Sequence, residues 1–160
     1  MPSIEEILTD VIRREGAATN DPTDLGGRTA FGISERANPD LWADGVVTEA
    51  EARERYMKKY VQWPGFDKIT DLQLRTQLID FGVNSGPGVA IKKLQEIVGA
   101  DQDGVLGPQT LAAVSQMHPE DVNNSLAILR IKMIGKIVTR NPSQLKFLNG
   151  WLNRATEFLK

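Results

Sequence analysis

The chain has 160 residues and no cysteine, with 19 basic against 21 acidic side chains and a net charge of −2. That length suits one compact domain, or one domain with two lobes, and should bury about 70% of the surface its unfolded form exposes. The composition excludes a disulfide framework, a thiolate nucleophile and a zinc–thiolate site, and the charge argues against non-specific nucleic-acid binding.

The first helix is signalled by a capping box, Ser3 with Glu6. Ile4, Ile7, Leu8, Val11 and Ile12 then form one apolar stripe, and Gly16 stops the helix with Glu15 in its last turn. This acidic amphipathic start is not the basic-then-apolar pattern of a signal peptide. Residues 17–34 carry the turn signals Asp21-Pro22 and Gly26-Gly27 and read as a small irregular β-hairpin lobe. Residues 35–47 read as a short helix and a loop. A second capping box, Thr48 with Glu51, starts a helix running to about Tyr60. Helices follow at 72–83, capped by Thr70 or Asp71, at 89–98, and at 108–117 with Pro108 in the first turn. The most apolar helix, 121–139, reads as the central one. A last helix covers 143–159. The apolar run 126–138 is interrupted by Arg130, Lys132 and Lys136 and is too short to span a bilayer.

The chemical signal is the spacing Glu15, Asp24, Thr29. Glycoside hydrolysis needs a carboxylic acid to protonate the leaving oxygen, and usually a second carboxylate to orient water or stabilise an oxocarbenium-like transition state. A helix-end Glu facing an Asp on a hairpin puts the two on opposite walls of a cleft. The partial negative charge at the helix C-terminus disfavours the ionised form of Glu15, the direction a general acid needs, while Arg13 and Arg14 oppose it if they approach. Spacing alone also fits a solvated Glu before a hairpin whose Asp makes turn bonds. Asp21 competes as the second carboxylate, against a reading in which it bonds within the Asp-Pro turn.

Other candidates divide the same way. Asn84 and Ser85 suit hydrogen bonds to sugar N-acetyl groups, or a helix break at Gly86-Pro87 with Ser85 capping the next helix. Asp103-Gly104 and Gly107-Pro108 read as turn chemistry, with Gln109 and Thr110 available to a glycan. Tyr56, Tyr60, Trp63 and Trp42 suit stacking on sugars or a place in the core, and Tyr60 is the preferred cleft residue. Asp101 and Asp103 do not make a calcium loop, since Gly104 falls at the fourth position and Ala112 replaces the bidentate Glu. His118 is the sole histidine, which argues against a His-based triad. Gly26-Gly27 lacks the spacing of a phosphate loop.

Glu15-Gly16, Asn20-Asp21-Pro22, Asp24, Gly26-Gly27, Thr29 and Phe31-Gly32-Ile33-Ser34 resemble the N-terminal signature of glycosyl hydrolase family 108. Its members are N-acetylmuramidases of phage endolysins and secretion-linked lysozymes. Asn38-Pro39-Asp40-Leu41, Thr48–Ala52, Tyr56 and Tyr60 resemble the family's middle section. Phe81–Pro87, Leu94-Gln95, Asp103–Leu111 and Gly150-Trp151 resemble its C-terminal, peptidoglycan-binding part.

The resemblance implies a mainly α, lysozyme-like (α+β) fold, with a helical lobe and a small β-hairpin lobe next to the catalytic helix. It implies one domain over 1–160, with a catalytic signature region at 1–84 and a helical region at 85–160. Glu15 would be the acid, Asp24 would position water or stabilise positive charge, and Thr29 would help hold the water. Tyr60, Asn84, Ser85 and Gln109 would bind substrate. Ala17 and Ala18 depart from the family's second Gly and common aromatic, which puts the helix exit and an outer contact in question. The Asp-to-Thr gap is one residue shorter than in phage-type lysozymes.

The implied reaction is hydrolysis of the β-1,4 bond between N-acetylmuramic acid and N-acetylglucosamine, with no metal or cofactor. The implied setting is a monomer made in the bacterial cytoplasm, released by a holin, and acting on peptidoglycan in the periplasm without membrane insertion. A lytic transglycosylase, a non-catalytic peptidoglycan-binding module, and an effector with an immunity partner are the alternatives.

Overall fold

The computed structural model describes residues 1–16 and 28–159. Two compact units divide the chain, Pro2–Trp63 and Pro64 onward.

In the first unit, α1 spans Ile4–Glu15. Both hydrogen bonds of the Ser3/Glu6 capping box form, and Gly16, at φ +78°, closes the helix through its N–H to Ile12 O. Ile7, Leu8, Val11 and Ile12 are buried, as their spacing requires. Ala30, Ile33, Trp42, Val47, Ala52, Tyr56 and Val61 supply the rest of this core. The hairpin consists of β1, Thr29–Ala30, and β2, Ile33–Ser34, antiparallel with Ala30 opposite Ile33. Its two-residue loop, Phe31-Gly32, has φ of +51° and +73°. Positive φ at both positions is the signature of a type I′ turn, whose twist matches that of the strands. The expected hairpin lobe is present over these residues, and its stretch 17–27 lies outside the described residues.

The expected short helix within 35–47 is absent, and the chain makes successive turns there. Tertiary hydrogen bonds shape that path. The Trp42 indole N–H donates to Ile33 O and the Asn38 amide to Ser34 O. Arg28 grips Glu35 through Nε and Nη2, donates Nη1 to Gly45 O, and lays its guanidinium 4.8 Å from the Trp42 ring centre. The next helix, α2, spans Glu49–Met57 behind the Thr48/Glu51 capping box. It ends short of Tyr60 because the chain widens into one π turn, Lys58–Gln62, closed by Trp63 N–H to Lys58 O. Arg53 ties α2 to α1 through Glu5 and Thr9.

The second unit is helical. A 3₁₀ turn, Phe66–Lys68, leads to α3, Leu72–Ser85, which Asp71 caps by accepting from Leu74 N–H. The helices α4, Pro87–Val98, and α6, Pro119–Arg140, pack on it. Gly82 permits close approach on α3, since a Cβ there would stand 3.3 Å from the Phe66 ring and 3.4 Å from Pro87 Cα at the start of α4. The break between α3 and α4 is Gly86, not a Ser85 cap: Gly86 has φ +91° and Pro87 starts the helix behind it. After α5, Pro108–Ser115, and α6, the expected last helix splits. A 3₁₀ segment, Pro142–Phe147, nucleated by Asn141 accepting from Ser143 N–H, precedes α7, Leu148–Thr156. Continuous burial falls on α3, from Thr76 to Gly82, whereas α6 buries a stripe only. The centre of this unit is therefore α3. No helix among the described residues is long and apolar enough to cross a membrane.

Leu78, fully buried on α3, should cost about 2–5 kcal/mol when cut to Ala. Leu72, 59% exposed at the start of the same helix, should change stability by less than about 0.5 kcal/mol. Urea unfolding of the two full-length variants checks the contrast.

Candidate active site

Glu15 is the last residue of α1, and its side chain is exposed. Its surroundings are set by the hairpin tip. Phe31 N–H donates to Gly16 O at 3.1 Å, which fastens the turn to the end of α1. Tyr56 Oη, from α2, donates to Phe31 O at 2.5 Å, which fastens the turn on its other side. Between these anchors lies Gly32. A Cβ built there would stand 2.6 Å from Glu15 Oε2 and 2.7 Å from Tyr56 Oη. The carboxylate and the phenol thus flank one glycine, and only a residue without a side chain leaves them room.

The Tyr56 hydroxyl is committed to a backbone carbonyl, so its proton is not spent on Glu15. Burial, then the charge of Glu15, then Tyr60 push its pKa up to about 12. The neutral phenol, held by Phe31 O, makes Tyr56 a fixed wall beside the exposed Glu15 carboxyl group. Tyr60, on the π turn, stacks on Tyr56 with ring centres 5.9 Å apart and planes 16° apart. The Lys59 ammonium lies 5.0 Å from the Tyr60 ring centre. Thr29 opens β1 opposite Ser34 and is half-buried. Asp24 and its competitor Asp21 lie outside the described residues. Of the other aromatics in this unit, Trp42 is in the core and Trp63 is 64% exposed, with Arg55 beside its ring.

Asn84, Ser85 and Gln109 belong to the second unit. Asn84 is exposed and donates its amide back to Asp80 O at 2.6 Å, within α3. Together with Ser85 it lines a pocket whose other walls come from α6 and α7. Gln109 is exposed on the first turn of α5 and does not line that pocket. Thr110, next to it, is buried and accepts from Gln95. Gln95 organises the Asp103–Val105 turn. Its amide donates to Asp103 Oδ1 and Val105 O, and its oxygen accepts from Gly104 N–H. The Gln95 bond holds the Asp103 carboxyl below its ordinary pKa. This segment is turn chemistry.

The family model described as Glycosyl hydrolase 108 matches residues 8–86. A second, described as Predicted Peptidoglycan domain, matches residues 89–156, so the two together span nearly the whole chain. The chain belongs to the glycosyl hydrolase 108 family. Among solved structures, "Structure of Brucella abortus SagA" is 29% identical, covers 96% of this chain and 90% of that one, and superposes with a TM-score of 0.68. A comparison with curated proteins finds no match. The mainly α, lysozyme-like fold accords with these likenesses. The pairing of the two models makes this glycosyl hydrolase 108 chain a peptidoglycan hydrolase. The models meet around Gly86-Pro87-Gly88, between α3 and α4, whereas the compact units divide at Trp63.

Two features of the family member escaped the pattern of the sequence. One is the Phe31-Gly32 turn as the seat of Glu15, for which Gly32 between β-like residues was the available signal. The other is a buried charge cluster in the second unit, Asp80 with Arg130 and Arg154. Its signal was Arg130 on the stripe Leu126, Arg130, Ile134, where an apolar residue belongs.

Tyr56 is one of two tyrosines in the chain. Absorbance titration of phenolate should show it ionising near pH 12, a step missing in Tyr56→Phe. Glu15→Gln should move that step to lower pH, because removing a nearby negative charge makes the phenolate easier to form. Gly32→Ala should cost about 1–2 kcal/mol through its positive φ. It should also slow peptidoglycan hydrolysis by at least about tenfold, as the added methyl displaces Glu15. Turbidity clearance and thermal melts of that variant separate the two effects.

Proposed function

We propose that the chain is an N-acetylmuramidase that hydrolyses the β-1,4 bond between N-acetylmuramic acid and N-acetylglucosamine. The observation that carries the reading is the exposed Glu15 carboxyl, held beside Gly32 and Tyr56 within the stretch matched by the glycosyl hydrolase model. Glu15 gives its proton to the glycosidic oxygen as that bond breaks, and water supplies the hydroxyl to the anomeric carbon. Asp24 stabilises the positive charge on the sugar ring or orients the water, and Thr29 helps hold it. Tyr60, stacked on Tyr56, offers a ring face to a sugar in the same unit. Asn84, Ser85 and Gln109 serve as further contacts from the second unit. The biological setting proposed is a phage or prophage endolysin that acts as a monomer on the periplasmic face of the wall after holin-dependent release. The family's link to peptidoglycan supports the substrate of that setting.

Glu15→Gln should lower hydrolysis of purified peptidoglycan by roughly 10²–10⁴-fold, the usual share of a general acid, while sedimentation with the wall is kept. Mass spectrometry of the wild-type digest should find reducing N-acetylmuramic acid ends. Anhydro-sugar ends would instead identify a transglycosylase, intact glycan would identify a binding module, and undiminished hydrolysis by the variant would remove Glu15 from the mechanism.

A further inference from the structure

The second unit gathers more positive than negative charge around one buried carboxylate, with Arg130 buried and Arg154 half-buried. Asp80 on α3 is wholly buried. Its Oδ2 accepts from Arg130 Nη2 of α6, and its Oδ1 accepts from Arg154 Nε of α7, each at 2.5 Å. Two guanidinium groups therefore share one carboxylate. Arg130 is 5% exposed, sandwiched against the rings of Phe81 and Phe158, and its Nη1 is buried with no hydrogen-bond partner among the described residues. An unpaired charged donor in that setting is costly, and a buried ion cluster is a poor source of stability compared with apolar packing. Burial holds Arg130 below its ordinary pKa. Asp80 opposes that, and the charge of Arg154 adds to it.

Both arginines line a pocket of about 130 Å³. Asn84 and Ser85 form its polar side, while Phe81, Met133, Ile134, Ile137 and Trp151 form its apolar side. The volume is well below the roughly 300–1,000 Å³ of a cleft that encloses a whole small molecule. It suits the end of a longer ligand. Trp151 stacks on the exposed Phe147 at 5.6 Å between ring centres, which extends an aromatic surface from the pocket wall. Surplus guanidinium charge asks for an anion, and the planar fork of arginine matches a carboxylate. The apolar wall asks for a small hydrocarbon group beside that anion.

We propose that this pocket binds the terminal carboxylate and last small apolar residue of a peptidoglycan stem peptide, so that the second unit holds the wall by its peptide while the first unit acts on its glycan. The choice of a wall peptide rests on the hydrolase reading above; the carboxylate pocket does not.

Calorimetric titration of the full chain with D-alanyl-D-alanine, its C-terminal amide, and sodium sulfate tests the proposal. The free acid should bind at least tenfold more tightly than the amide. Ile137→Trp, which fills the pocket from its half-exposed mouth, should abolish that binding with an unchanged melting temperature. Arg154→Gln should weaken it at least tenfold, with Arg154→Lys recovering part of it. Equal binding of acid and amide, binding retained in Ile137→Trp, or sulfate binding without the dipeptide would each overturn the proposal. Glu15→Gln should bind the dipeptide as wild type does. A wild type that binds the dipeptide but releases no reducing ends would refute the glycosidase and leave the pocket standing.

Discussion

The two-residue turn at Phe31-Gly32 holds three pieces of chain at one point. Its Phe31 N–H reaches the end of α1, its Phe31 carbonyl takes the Tyr56 hydroxyl from α2, and Gly32 gives up its side-chain volume to Glu15. A bulky residue at φ +51° is strained, and such strain persists where the surroundings over-determine it. Here the two hydrogen bonds of Phe31 do so. The consequence is a carboxyl group at a helix end that is open to solvent yet bounded on one side by fixed atoms. The π turn that follows α2 then carries Tyr60 onto Tyr56, so the wall beside Glu15 extends outward as an aromatic surface.

Much of this was legible locally. Both capping boxes, the Gly16 stop and the Asp71 cap depend on residues within a few positions of one another, and each formed as the sequence reads. What was not legible depends on partners far along the chain. Residues 35–47 have helical composition in part, but Trp42 and Asn38 bond back to the hairpin, and Arg28 crosses to Gly45. Those bonds outweigh a weak local preference. The helix beginning at Ser143 likewise gives way to a 3₁₀ segment, because the Asn141 side chain caps Ser143 and tightens the first turns.

The site residues follow the same division. The place of Glu15 at a helix end was readable because the apolar stripe and the Gly16 stop lie beside it in sequence. Tyr56 and Gly32 become its neighbours only through the fold. Asn84 and Ser85 were readable as a helix break, and the pocket they line could not be foreseen, since its charge comes from residues 50 and 74 positions beyond Asp80. The stripe position of Arg130 was a visible anomaly without a visible partner.

Net charge also takes on a different meaning at this scale. A chain at −2 has no long-range attraction for a wall rich in carboxylates. Recognition of such a surface must then come from local charge. The second unit concentrates it twice on α6: Arg130 inward, against Asp80, and Lys132, Lys136 and Arg140 outward, around a shallow depression with Gly135 and Thr139. The outward group is solvated and screened within about 8–10 Å at ordinary ionic strength, so it can do little beyond loose attraction. Arg130 is buried and Arg154, on α7, is half-buried, and Asp80 fixes both, so an anion reaching them meets donors already in place. Specific binding by this unit is therefore expected to depend weakly on salt at the pocket and strongly on salt along the outer face of α6.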